Sequence, residues 1–145
     1  MQSNALHLVC SCLAMVILTL VVGVFMLFTR VSEMRSRRIP PQSASTTFTM
    51  GSKLEDVRRA DNFRNLFEVP VLFYCLVAIA LAVGRTPDWL ISGCWLFVAL
   101  RAAHSVIHCT YNKVYHRLTA FVAGFGLVVG MWITFAVSLA SARTT

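Results

Sequence analysis

RNLFEVPVLFYCLVAIALAV, residues 64–83, decides the fold. From Phe67 to Val83 the only charge is Glu68. A run of roughly 17–25 apolar residues is what an α-helix needs to cross the hydrocarbon core of a bilayer. Three more such runs occupy residues 5–28, 89–109 and 118–142. Lipid offers no partner to a free amide, so a spanning segment must satisfy its own backbone as a helix. The expected fold is therefore all-α: an integral membrane four-helix bundle in one domain, 1–145, with helices near 5–34, 53–83, 88–110 and 117–142.

Composition agrees. Of 145 residues, 57% are hydrophobic and 13% charged, with a mean hydropathy of +0.70. The surface of a soluble domain needs more charge than this. The N-terminal run is not expected to be a cleaved leader, because MQSNALHL carries no Lys or Arg and the run ends in charge. Cys10, Cys12, Cys75, Cys94 and Cys109 lie in or beside apolar runs, without CxxC spacing, and read as small buried hydrophobes.

The net charge of +7 is unevenly placed. Arg30, Arg35, Arg37, Arg38, Lys53, Arg58, Arg59 and Arg64 fall between the first and second helices, and Lys113 and Arg117 between the third and fourth. Only Arg85 and Arg143 fall on the other side. The positive-inside rule puts the basic loops in the cytoplasm and both termini outside. Membrane lipids are the expected partners of the basic loops. No nucleic acid is expected, since no recognition fold is present.

Local signals punctuate this outline. Ser52-Lys53-Leu54-Glu55 has the form of a capping box at the start of the second helix. Pro70 should kink that helix. Gly84 suits its end, and Asp88 suits a cap for the third helix. Gly126 and Gly130 form a GxxxG pair that permits close helix contact, within the chain or between chains.

The polar residues of the spans carry the functional question. Asp61, Asn65 and Glu68 recur at i, i+4 and i+7, and Arg64 precedes Glu68 by one turn. In the third helix Arg101, His104 and His108 recur at i, i+3 and i+7. An ionised side chain in the span is costly, so such residues face inward, pair, or line a wet cavity. Facing stripes on neighbouring helices predict a cytoplasm-facing pocket, basic overall, with at least one carboxylate. Spacing alone is also satisfied by an Arg64–Glu68 pair within the helix or an Arg101–Glu68 lock between helices. His104 and His108 also have the spacing of metal ligands, with Glu68 as a third. No metal is expected, because the surrounding arginines repel a cation. A peptide-like ligand suits the mixture better, with arginine for its carboxylates and Glu68 for its amine.

At these residues the chain resembles the MAPEG family, membrane-associated proteins in eicosanoid and glutathione metabolism. The resemblance covers nearly the whole chain and is nearest to the microsomal prostaglandin E synthase and glutathione transferase branch. Its most specific piece is Arg64-Asn65-x-x-Glu68 followed by Pro70; Arg101-x-x-His104 and Arg117 add to it. The resemblance implies a homotrimer holding glutathione between subunits on the cytoplasmic side. Arg35, Arg64, Asn65, Glu68, His104 and His108 would bind glutathione, and Arg117 would stabilise its thiolate as the catalytic residue. The implied activity is a membrane-bound, glutathione-dependent transferase or peroxidase acting on a lipophilic small-molecule electrophile. The alternative is a non-catalytic binding or structural protein on the same scaffold. Four positions depart from the prostaglandin branch: His108 and Phe121 stand where it has tyrosines, Leu118 where it has serine, and Asp61 where it has arginine.

Overall fold

Four apolar stretches become four helices in a computed structural model that describes residues 2–40, 42, 54 and 57–141. These are α1 (Gln2–Ser36), α2 (Arg58–Ala82), α3 (Asp88–Cys109) and α4 (Val114–Ser141). All four are long and apolar enough to cross a membrane. Large apolar side chains such as Leu6, Leu20, Phe28, Leu96 and Ile133 point outward. That is the inverse of a soluble bundle and suits a hydrocarbon surrounding.

The interior is built from heptad-like rows. Leu8, Met15 and Val22 line the buried face of α1, while α4 contributes Gly124, Val128, Met131 and Phe135. On α3 the row is Leu90, Cys94, Phe97, Arg101, His104 and His108. Steps of three and four keep one face toward the neighbouring helices. Phe73 of α2 stacks on Phe97 at 4.8 Å between ring centroids. Helix α3 packs most extensively on α4, and α1 on α2 and α3. Gly93 of α3 makes room for the Met131 side chain of α4, since a Cβ there would lie 2.5 Å from Met131 Sδ. Gly126 and Gly130 have nothing within 4 Å of a would-be Cβ and face outward, so the GxxxG pair makes no contact within the chain.

The caps differ in part from expectation. Gly84 ends α2 in a left-handed backbone (φ 68), and the amides of Gly84 and Arg85 bond the carbonyls of Leu81 and Ala80 at 3.1 and 3.0 Å. This is a Schellman closure, which favours glycine. Asp88 does not cap α3. Pro87, in extended backbone, holds that position, and Asp88 lies in the first turn. There its carboxylate sits well at the positive helix end and accepts from Asn4 Nδ2 at 2.9 Å. Helix α2 starts at Arg58 after a Val57 cap with no side-chain bond, and it remains helical through Pro70. The capping box at Ser52 and Glu55 lies outside the described residues.

Two ties fix which ends meet. Asn4 Nδ2 also donates to Thr86 O at 2.9 Å, joining the start of α1 to the α2–α3 link. At the opposite end Arg58 Nη1 donates to Thr110 O at 2.7 Å, joining the start of α2 to the end of α3. The functional groups gather at this second end.

Candidate functional site

Halfway along α3 the buried row changes from Leu, Cys and Phe to Arg, His and His without changing its spacing. Packing against α4 therefore buries polar groups. Arg101 is 1% exposed. Its Cζ lies 5.3 Å from the Phe97 ring centroid and 5.2 Å from that of Phe121. Both fall within cation–π range. The space for it comes from Gly124, where a Cβ would stand 3.4 Å from Nη2. None of its three nitrogens has a hydrogen-bond partner among the described residues.

One turn further, His104 Nδ1 lies 3.2 Å from the carbonyl oxygen of Arg117. A carbonyl can only accept, so Nδ1 carries the proton. In the neutral ring Nε2 is then a lone-pair acceptor, and it is buried without a partner among the described residues. After another turn, His108 Nε2 lies 3.4 Å from Arg117 Nη1. A guanidinium can only donate, so this nitrogen presents its lone pair. Arg117 Nη1 also donates to Asn112 Oδ1 at 3.0 Å.

These groups open onto a cleft of about 290 Å³ lined by Asp61, Asn65, His104, His108, Arg117 and Phe121, with Val114 and Leu118 at its edge. One cation, Arg117, and one carboxylate, Asp61, meet the lone-pair acceptors there beside an apolar wall, an arrangement able to hold an anion and a hydrogen-bond donor together.

Asn65, His104, His108 and Arg117 are thus brought into one cleft. Arg64 and Glu68 are exposed on α2 beside it, and they form no ion pair with each other or with Arg101. Arg35 lies apart, lining a pocket with Val31, Met34, Arg38 and Ile39. Helical phase accounts for this. On α2 the core row includes Leu66, Val69 and Phe73, and Asn65 borders it. Glu68 lies about 60° and Arg64 about 100° further round, toward the outside.

Buried groups that sequence reasoning passed over complete the α2–α3 contact. Asn62 Nδ2 donates to Cys109 Sγ at 3.4 Å, and Ser105 Oγ donates to Asn62 Oδ1 at 3.4 Å. Asn62 is four residues from Leu66 and seven from Val69 on the core row, and that spacing was the available signal. No cluster of three or more metal-ligating side chains occurs among the described residues.

The family model of the MAPEG family matches residues 6–137. Among curated proteins and among solved structures, none matches the chain.

Proposed function

The chain belongs to the MAPEG family, and from that premise we propose that it is a membrane-bound enzyme using glutathione for transfer to, or peroxide reduction of, a lipophilic electrophile. The observation that carries this reading is Arg117, a fixed cation at the cleft held by two uncharged acceptors, Asn112 and His108. Glutathione would supply the sulfur nucleophile. Arg117 would hold the negative charge on sulfur, raising the reactive fraction near neutral pH. The unpartnered Nε2 of His104 would accept from an amide or ammonium group of the peptide. Asn65 would add a neutral donor and acceptor.

The cleft, at about 290 Å³, lies at the small end of ligand sites, which run from roughly 300 Å³ upward. One protomer therefore supplies part of a peptide site. Exposed Arg64, Glu68 and Arg35 would complete it in a homotrimer, the arginines taking carboxylates and Glu68 the amine. By its charge bias the site would face the cytoplasm, with both termini opposite. Within the family the reading favours the prostaglandin E synthase and glutathione transferase branch. Leu118 and Phe121 lack the hydroxyls of that branch, which argues for transferase or peroxidase chemistry over the isomerase reaction.

The same two residues favour a second reading, a non-catalytic binding protein, because no hydroxyl-bearing side chain is among the described residues that line the cleft. Ultraviolet absorbance of detergent-solubilised protein with excess glutathione separates the two. The enzyme reading expects a thiolate band in wild type and a thiolate-to-thiol ratio roughly ten- to a hundredfold lower in Arg117→Ala. Identical spectra in folded wild type and variant would leave only the binding reading.

A further inference from the structure

We propose that Asn112 is a positioning residue for Arg117, holding the guanidinium without neutralising it. Its effect on sulfur rests on the glutathione reading above; its geometry does not. Asn112 sits in the α3–α4 link in left-handed backbone (φ 48), with its amide bonded to Ile107 O at 2.9 Å. Asparagine enters that region more readily than other residues with a side chain. The turn aims Oδ1 at Arg117 Nη1, 3.0 Å away. An amide oxygen fixes the long arginine side chain and adds no negative charge to that of Asp61, which also lines the cleft. A carboxylate at the same place would fix the arginine and cancel much of its charge. Glycine would keep the turn and leave the guanidinium only its longer contact with His108, at 3.4 Å.

The test uses the full chain in detergent, with Asn112→Gly and Asn112→Asp. Without glutathione, the Arg117 guanidinium NMR signal should stay slowly exchanging in wild type and Asn112→Asp. In Asn112→Gly it should become averaged and fast-exchanging. With glutathione, both variants should lower the thiolate-to-thiol ratio, by roughly tenfold, one by mobility and one by opposing charge. An Arg117 signal unchanged in folded Asn112→Gly overturns the inference. A wild-type thiolate ratio in Asn112→Asp overturns its electrostatic half. If wild type shows no thiolate at all, the glutathione reading fails instead, and the guanidinium signal still decides the role of Asn112.

Discussion

The guanidinium of Arg101 is buried among Phe97, Phe121 and Gly124 with no hydrogen-bond acceptor on any nitrogen. Two aromatic faces offset part of the desolvation, each by about 0.5–2 kcal/mol. A buried charge that the Glu68 carboxylate reaches only from beyond ion-pair distance still costs more than that. Arg101→Met should therefore leave the ligand-free protein as stable or more so, by up to about 1–4 kcal/mol, as read by thermal unfolding in detergent. A lowered Tm would mean that the charge is compensated, by Glu68 across the gap or by a carboxylate of another subunit. At this scale the α3 residues were legible, because three polar groups on one helix keep their mutual phase whatever surrounds them. The α2 residues were only half legible. Spacing shows that Asn65 and Glu68 share a stripe, but not how far α2 is turned about its axis. That turn is set by Leu66, Val69 and Phe73 seeking the core, and it leaves Glu68 outside. Asn112 was invisible as a site residue because its part comes from a turn and not from a periodic face.

Among the elements, α3 and α4 form the closest pair, and two kinds of glycine separate cleanly along them. Gly93 meets Met131 Sδ, and Gly124 meets Arg101. Gly126 and Gly130 meet nothing within the chain. Gly93→Ala should cost about 1–3 kcal/mol by overpacking, and Met131→Ala in the same chain should recover part of the loss, a coupling that thermal unfolding of the double variant would reveal. Gly126→Ala should leave the protomer's own packing unmoved. The four spans were legible from apolar length and Gly84 from its place after a periodic run. The role of Asp88 was not. A good capping residue was present, but Pro87 already held the cap, and Asn4, more than eighty residues away in sequence, claimed the carboxylate.

Across the whole molecule, polar groups are sorted by end. Asn4, Thr86 and Asp88 close one end, and Asn4 shares a pocket there with Phe135 and Ser138 near the close of α4. The cleft and the bond from Arg58 to Thr110 mark the other. If the basic end lies in the cytoplasm, a membrane-impermeant maleimide should label Arg85→Cys in intact cells and Lys113→Cys only after permeabilisation; the reverse pattern would invert the topology. One consequence follows from the α3 row that begins at Leu90 and finishes at His108. Its apolar half is clamped beside Gly93 and Met131, and its imidazole half lines the cleft and is tied to α2 through Asn62 and Arg58, so α3 is a shaft gripped at both ends. A guest at the proposed site that drew on either imidazole would have to twist that shaft against both grips, so a poor fit would be rejected before the helix turned to meet it.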